Sequence, residues 1–401
     1  MHIAESKQIR ALTLSHLWHS RQFRKNLLLF CAFNCLLYVW IIMAHGLIPF
    51  HAFDYASKAY HFLPDSRAVN IGSFNLLQAL GQYDAQWYLR IAANGYPRTI
   101  GNVLEHAYAF PPLYPALLAV FRQVFSDSLL GAFVLTQVLL IAEFCAIYWL
   151  VARWYSEDLA TKTVWLVFAY PFSIFLRSYF SEGLFLLLLA LLLDSQRNQT
   201  WFRGILFGVG LTMTRFFGAV GLMVLHAQIL IAFYKKRVSF WKLIICIILS
   251  ITPFVLLMLF YRLQTGDPLY FINIQLAWIK PHNTFPGSAM LWSIVHFFKL
   301  SWHSVHSSRI DVTLVLTFGL LVVLSRKWLP KNWWFMALLI WLAPILTSDT
   351  MSASRHQLMN LPIFIYAAHK LQGRWYTATL ALSIVGLFVV AILFSSWQWV
   401  G

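Results

Sequence analysis

Long apolar segments constrain this chain more than any other feature of its sequence. A helix needs about 20 mostly apolar residues to cross the hydrocarbon core of a bilayer, and residues 26–48, 129–151 and 241–263 each supply such a run. Only 11% of the 401 residues are charged, whereas soluble domains carry about 25%. We therefore predict an all-α polytopic integral membrane protein that forms a single domain, residues 1–401.

The remaining apolar segments complete a scheme of roughly eleven membrane segments. Residues 110–126 are short, and they contain three prolines and Arg122, which predicts an amphipathic helix at the outer interface. Residues 203–235 are too long for one pass and too short for two, so we predict a hairpin of broken helices with Arg215 near its turn. Irregular backbone at this depth is tolerated only where it is buried in protein or lines a cavity. The other predicted spans are 161–178, 183–195, 310–325, 332–348, 356–370 and 375–397.

The distribution of the net charge of +16 orients the chain. Most of the 30 Lys and Arg residues fall in short clusters at one set of helix ends, and such clusters mark the cytoplasmic side. Residues 1–25 are then a cytoplasmic N-terminus. Residues 49–128 form a large first extracytoplasmic loop with interfacial helices, and residues 264–309 form a second. Topology and anionic headgroups account for the charge, so no nucleic-acid partner is predicted.

The first loop contains one polar segment that differs from its surroundings, QYDAQWYLRIAANGYP at residues 82–97. In it, Asp84 lies among Tyr83, Trp87 and Tyr88. A carboxylate beside a membrane span can accept the proton of a sugar or lipid hydroxyl, so we predict a functional role for Asp84. The three aromatic residues suit either a substrate site or an interfacial belt.

Arginines on the same predicted side are candidates for binding an anion, because the guanidinium fork binds phosphate through two donors. Arg355 follows a loop rich in Ser and Thr, and Arg177 ends a predicted span. For Arg177, snorkelling to headgroups is an equal alternative, and Glu182 is placed to form a simple ion pair with it. Glu143 lies in the middle of a predicted span, and we interpret it as a buried packing contact.

Metal sites have no support in the sequence. His303 and His306 share a helix face without a third ligand, and Cys31 and Cys35 lie in an apolar run without His or Asp. A protein metal site needs at least three such ligands. No metal and no other cofactor is therefore predicted.

Six elements, taken in order, resemble the PIG-V family of mannosyltransferases. They are QYDAQWYLRIAANGYP, FPPLYPALLAVF, YFSEGLFLLLLALLL, TRFFG, GDPLYFINIQLAW and SASRHQLMNLPIF, which are spread from residue 82 to 364. The chain departs from the family pattern at Tyr83, where the family has tryptophan, and at His356, where it has tyrosine. It also lacks the usual polar residue after Arg215. The length of the chain suits a bacterial relative.

The resemblance implies a glycosyltransferase of the GT-C superfamily, whose members are multi-span enzymes with the catalytic acid in the first extracytoplasmic loop. It implies inverting transfer of mannose, or a similar hexose, from a polyprenyl- or dolichyl-phosphate sugar to a lipid-linked or glycan acceptor, as in enzymes like GPI mannosyltransferase 2. The bacterial plasma membrane is favoured over the endoplasmic reticulum. On this basis Asp84 is the predicted catalytic base, and Arg355 and Arg215 are the predicted ligands of the donor phosphate. The predicted substrate-binding residues are Tyr83, Trp87, Tyr88, Arg90, Glu182, Gln275 and Trp278.

Two alternatives remain open at this stage. A transporter or flippase of a lipid-linked anion would explain the spans and the broken helices at residues 203–234. It would not explain a long motif-bearing first loop, because transporters usually place their polar sites near the midplane. An inactive relative that serves as an assembly subunit is the other alternative, and an intact Asp84 argues against it.

Overall fold

The computed structural model describes residues 14–51, 74–98, 100–101, 103–276, 285–301, 308–347 and 352–400. Helices make up the fold, and no β-strand occurs within these residues. In chain order the α-helices are α1 (Leu14–His19), α2 (Arg21–Ala44), α3 (Leu76–Ala79), α4 (Asp84–Asn94), α5 (Leu113–Phe125), α6 (Ser128–Trp154), α7 (Glu157–Phe168), α8 (Glu182–Asn198), α9 (Trp201–Thr214), α10 (Ala219–Tyr234), α11 (Phe240–Thr265), α12 (Tyr270–Leu276), α13 (Ser288–Val295), α14 (Arg309–Ser325), α15 (Lys331–Thr347), α16 (Ala353–Gln357), α17 (Leu361–Lys370) and α18 (Gly373–Ser395). Short 3₁₀ helices span Val103–Ala109, Pro171–Leu176, Phe216–Gly218 and Phe297–Lys299.

The predicted class of all-α polytopic membrane protein is confirmed. Within the described ranges, five helical segments are long and apolar enough to cross a membrane: α2, α6, α11, α18 and the continuous segment Phe216–Tyr234. Shorter apolar helices occupy Leu113–Phe125 and Lys331–Leu346. The scheme of roughly eleven membrane segments and the assignment of the loops stay predictions.

Polar caps fix the residues at which several helices begin. Asp127 Oδ1 accepts a hydrogen bond from the backbone N–H of Leu130 at 2.7 Å, before α6. Ser156 Oγ likewise accepts from Leu159 N at 3.1 Å, before α7. Asp and Ser are favoured at this position because they satisfy a backbone donor that has no partner inside the helix, which stabilises the helix by about 1 kcal/mol. The short link between α6 and α7 therefore reverses the chain at a defined residue.

The segment between α9 and α10 is broken as the sequence predicts. Helix α9 ends at Thr214, and Arg215 has an extended backbone with φ −150° and ψ 131°. The chain then makes a 3₁₀ turn over Phe216–Gly218 before α10 begins. A Cβ at Gly218 would lie 2.5 Å from the carbonyl oxygen of Leu211, so only glycine lets this turn pack against α9. The break leaves Arg215 outside both helices.

Contacts between distant segments define two ends of the helix bundle. At one end Lys162 Nζ donates to Gln372 Oε1 at 3.1 Å, and at the other Gln82 Nε2 donates to the carbonyl of Ser395 at 3.0 Å. Helix α18 has 23 residues, about 35 Å at 1.5 Å per residue, and joins the two. We call the first the basic end, because Lys162 is joined there by these residues at or next to helix termini: Arg153, Arg197, Arg203, Lys235, Lys236, Arg237, Lys242, Arg326, Lys327, Lys331, Lys370 and Arg374.

Candidate active site

Four charged side chains meet at the end of the bundle opposite the basic end. Asp84 begins α4 and Glu182 begins α8, whereas Arg215 follows the end of α9 and Arg355 lies in the short helix α16. Each therefore sits at or near a helix terminus, where the chain turns. We call these four residues the charged cluster. Its two acids and two arginines balance each other's formal charge.

Arg355 bridges the two acids of the charged cluster. Its Nη1 donates to Asp84 Oδ2 at 2.8 Å, and its Nε donates to Glu182 Oε1. The guanidinium also lies 4.6 Å and 4.5 Å from the ring centroids of Phe175 and Phe180, a distance typical of cation–π contacts. Burial acts to lower the pKa of Arg355, but Glu182 and Asp84 raise it above its usual value. The guanidinium therefore stays charged although it is buried.

Arg215 is the second cation on Glu182. Its Nη1 donates to Glu182 Oε1 at 2.6 Å, and its side chain is 15% exposed whereas that of Glu182 is fully buried. Its Nη2 lies 3.5 Å from Nε2 of His356. A neutral imidazole faces an arginine without charge repulsion and can accept its hydrogen bond, which allows the two side chains to approach.

The predicted ion pair between Glu182 and Arg177 is wrong, because Glu182 pairs with the two arginines of the charged cluster instead. Arg177 is itself fully buried, so it does not snorkel to headgroups. Its Nε donates to Asn34 Oδ1 at 2.6 Å, and its Nη1 and Nη2 donate to the carbonyls of Ser173 and Phe168. The 3₁₀ turn after α7 folds Arg177 back over the end of that helix. Two of its donors thus bind carbonyls, that of Phe168 at the end of α7 and that of Ser173 in the 3₁₀ turn.

Tyr83 secures the start of α4, and therefore the position of Asp84. Its backbone has φ 51° and ψ −125°, a conformation that costs a residue with a side chain about 1–3 kcal/mol. Its side chain is 5% exposed, its hydroxyl donates to the carbonyl of Trp397 at 2.6 Å, and its ring packs on those of Trp397 and Trp399. The C-terminal segment thus holds the strained residue in place. The substrate-binding role predicted for Tyr83 stays a prediction.

The other aromatic residues of the first-loop motif are also buried. Trp87 and Tyr88 are 1% and 2% exposed, and the Tyr88 hydroxyl lies 2.8 Å from Ser181 Oγ, beside Glu182. Burial argues against the interfacial-belt alternative, because belt residues contact headgroups. Arg90 is half-buried and forms no ion pair with any residue that the structure describes. The substrate-binding role predicted for Trp87, Tyr88 and Arg90 stays a prediction.

The predicted second loop packs against the first through Glu105. Tyr270, in α12, donates its hydroxyl to Glu105 Oε2 at 2.8 Å, and the backbone N–H of Gly101 donates to the same oxygen at 2.6 Å. These two hydrogen bonds, that of Gly101 first, lower the pKa of the Glu105 carboxyl below its usual value. The Gln275 side chain and Trp278, which were predicted to bind substrate, lie outside the described residues.

Glu143 is fully buried, and neither of its carboxylate oxygens has a hydrogen-bond partner among the described residues. Its carboxylate packs against Gly183, where an added Cβ would lie 3.4 Å from Oε1. This placement fits the interpretation of Glu143 as a packing contact. No group of three or more potential metal ligands occurs in the described part of the chain. His303 and His306 lie outside that part.

The fold and the charged cluster together define a multi-pass membrane protein with a buried polar site at one end of its helix bundle. Residues 24–266 match the family described as Mannosyltransferase (PIG-V). Because this match covers more than half of the chain, the protein belongs to the PIG-V mannosyltransferase family and is a membrane glycosyltransferase, as its motifs indicate. No curated protein matches the chain significantly.

The family match contains three of the four residues of the charged cluster, namely Asp84, Glu182 and Arg215. It ends before Arg355. The ion pairs of Arg355 with Asp84 and Glu182 therefore connect the C-terminal part of the chain to the part that the family match covers. A site built from both parts requires the whole helix bundle.

Proposed function

We propose that this protein transfers mannose from a polyprenyl- or dolichyl-phosphate mannose to a lipid-linked acceptor, with inversion at the anomeric carbon. One observation carries the proposal. Asp84 is held by a charged arginine through Oδ2, yet its side chain remains 26% exposed, whereas Glu182 and Arg355 are 0% and 2% exposed. Asp84 is thus the acid of the charged cluster that a substrate can reach.

In this proposal Asp84 is the general base. Its Oδ1 accepts the proton of the acceptor hydroxyl while that hydroxyl oxygen forms a bond to the anomeric carbon of mannose. The bond between this carbon and the phosphate oxygen breaks, and the polyprenyl phosphate leaves with the bonding electrons. Attack from the face opposite the leaving group inverts the anomeric carbon. A positioned base of this kind typically contributes 10²–10⁴-fold to the rate.

The two arginines take different parts in the proposed reaction. Arg215 has the more accessible guanidinium, at 15% exposed, and a single carboxylate partner, which favours it as the first contact of the donor phosphate. Arg355 is buried between both acids, so it holds Asp84 in position and adds positive potential beneath the phosphate. Fixed cations stabilise charge that develops on a leaving group without reorganising during the reaction.

We further propose that the charged cluster faces the extracytoplasmic side, in a bacterial plasma membrane. The support for the orientation is the gathering of Lys and Arg at the opposite end of the bundle, since basic helix ends stay in the cytoplasm. The bacterial membrane rests on the length of the chain. Single cysteines at Arg98 and Arg374, in a background without the native cysteines, test this orientation. Arg98→Cys should react with an impermeant thiol reagent in intact cells, and Arg374→Cys only after permeabilisation. The reverse pattern would invert the assignment.

The activity is tested with membranes that contain the protein, a synthetic polyprenyl-phosphate mannose and a glycolipid extract. Mannose transfer should be accompanied by release of an equal amount of polyprenyl phosphate. A transporter or flippase would move the donor and leave its sugar–phosphate bond intact. Absence of release from membranes that contain folded protein, over the range of donors tried, would count against the transfer reaction.

A further inference from the structure

A groove at the basic end takes no part in the proposed reaction. It encloses about 510 Å³ between α10 and α15, a volume within the range of small-molecule sites. Most of its lining is apolar and includes Met223, Ile231 and Phe335. These three side chains are 62%, 54% and 50% exposed. In a membrane-spanning bundle, exposed apolar side chains of this kind face lipid, so the groove opens toward the bilayer.

The mouth of the groove is positively charged. Lys235 and Arg237 line it at the end of α10, and Lys331 lines it at the start of α15. No Asp or Glu is among the lining residues. These three cations form no ion pair with any described residue of the chain, whereas Arg153 and Lys162 at the same end are paired with acids.

The turn after α10 brings two of these cations together. Lys236 has φ 59°, its N–H donates to the carbonyl of Phe233, and the N–H of Arg237 donates to the carbonyl of Ala232. This pair of bonds is a Schellman motif, which normally has glycine in the left-handed position. The motif reverses the chain directly after the helix. Lys235 and Arg237 consequently both line the groove, whereas Lys236 between them does not.

The depth of the groove matches one leaflet. From Lys235 to Met223 along α10 is about 18 Å at 1.5 Å per residue, and half of the hydrocarbon core of a bilayer is about 15 Å. A ligand that uses the whole groove therefore needs an anionic group at the mouth and an apolar chain of leaflet length. A free phosphate would use only the cations, and a lipid without net charge would use only the walls.

We propose that this groove binds one anionic phospholipid from the leaflet at the basic end, with the phosphate at the three cations and an acyl chain between α10 and α15. Basic pockets between membrane helices are known to select anionic headgroups. The proposal goes beyond the transfer reaction and does not depend on it, because the groove lies at the other end of the bundle from Asp84. The lipid would fill the open part of the groove between two helices that pack against each other elsewhere along their length.

The test is native mass spectrometry of the purified full chain after exchange into equal amounts of phosphatidylglycerol and phosphatidylcholine. We expect one tightly retained phosphatidylglycerol, preferred over phosphatidylcholine by about 10- to 100-fold, from three cations near an anionic headgroup. Replacing Lys235, Arg237 and Lys331 together with glutamine should bring that preference close to one. The matched control replaces Lys242, Lys327 and Arg374 with glutamine, because these lie at the same end outside the groove. The control should keep the preference.

A second variant tests the walls of the groove without changing charge. Ala227→Trp should fill the space between the helices and lower retention of phosphatidylglycerol with all three cations present. Ala227→Leu provides a milder filling if the tryptophan variant does not accumulate. The proposal is overturned by equal retention of the two lipids, by an equal loss in the control triple variant, or by unchanged retention when the groove is filled. Displacement of phosphatidylglycerol by millimolar inorganic phosphate would also overturn the proposal, because it would show that the three cations bind a free anion.

Discussion

The variant Asp84→Asn is expected to remove mannose transfer while leaving the protein folded. Asparagine has nearly the same shape as aspartate, and its Oδ1 can still accept the hydrogen bond from Arg355. It has no basic oxygen for the acceptor proton. Arg355 would also keep its ion pair with Glu182 and its contacts with Phe175 and Phe180, so the substitution does not leave a buried cation alone.

Two magnitudes separate the catalytic effect from the structural one. Loss of a general base costs 10²–10⁴-fold in rate, about 3–5 kcal/mol at 1.36 kcal/mol for each factor of ten. The ion pair lost from Asp84 is partly screened, because Asp84 is 26% exposed whereas Arg355 is 2% exposed. Its loss should cost more than that of an exposed pair, about 0–1 kcal/mol, and less than that of a fully buried pair, about 3–5 kcal/mol, since Arg355 keeps Glu182 as a partner. The free energy of unfolding should therefore change less than the activation free energy.

The assay measures transfer of radiolabelled mannose from a polyprenyl-phosphate donor into extracted lipid, with membranes matched for protein amount. Asp127→Asn is the control, because Asp127 is an exposed acid at the same end of the bundle and asparagine caps a helix as well as aspartate does. The control should keep nearly full activity. If Asp84→Asn retains more than about a tenth of the activity, a loss below about 1.4 kcal/mol, the base is a different residue. An equal loss of activity in Asp127→Asn would show that transfer depends on the negative charge of this end of the bundle and not on Asp84 as a base.

Three further outcomes follow from the same contacts. Arg355→Lys should lower transfer at least about tenfold at constant protein abundance, because a point charge does not reproduce a planar fork that bridges two acids; normal kinetics would mean that one charge suffices. Glu182→Gln removes the fully buried carboxylate that Arg355 and Arg215 share, so it should lower the free energy of unfolding by about 3–5 kcal/mol. Thermal unfolding in detergent measures this loss, and an unchanged melting temperature would contradict it. The pKa of the Glu105 carboxyl is lower in the folded state than in the unfolded state. The carboxylate therefore stabilises the fold at any pH above the unfolded pKa of about 4.3. This stabilisation is lost as the pH falls from there through the pKa of the folded state. The protection factors of the amides over Val103–Ala109, which correct for the pH dependence of intrinsic exchange, should fall in that acid range in the wild type, and Glu105→Gln should remove this dependence. An identical profile in both proteins would show that the bond contributes no stability.

The helices were predictable because their signals are local. An apolar run of spanning length predicts α6 and α11 directly, at residues 129–151 and 241–263. The break at Arg215 was also local, since the segment between two basic flanks has the wrong length for a whole number of passes. Each of these signals lies within about 30 residues of sequence. The apolar side chains of such a segment must be buried in protein or face lipid, and this requirement determines its structure.

The partners within the charged cluster were not predictable in the same way. Glu182 lies five positions from Arg177 in sequence, and that proximity suggested the wrong pair. Its actual partners, Arg215 and Arg355, are 33 and 173 positions away. The bond that secures Tyr83 joins residues 314 positions apart. No local pattern encodes such a contact, because it arises from how helix ends from the two halves of the chain meet. The resemblance to the family pointed to all four residues of the charged cluster, and the packed bundle brings them together and gives their partners. Their roles stay predictions.

The charge balance of the cluster suggests how both arginines can serve the donor phosphate. Asp84 and Glu182 offset Arg215 and Arg355 in the resting site. In the proposed reaction Asp84 gains the acceptor proton and becomes neutral, while the phosphate, which enters as a diester with one negative charge, leaves as a monoester with up to two. The total charge is therefore unchanged, and one negative charge moves from the carboxylate to the phosphate. Arg355 Nη1, which donates to Asp84 Oδ2 in the resting site, keeps this hydrogen bond to the neutral carboxyl group, and its positive charge is then no longer offset by a carboxylate on that side. An arginine placed between base and leaving group thus stabilises the negative charge at the start and at the end of the transfer.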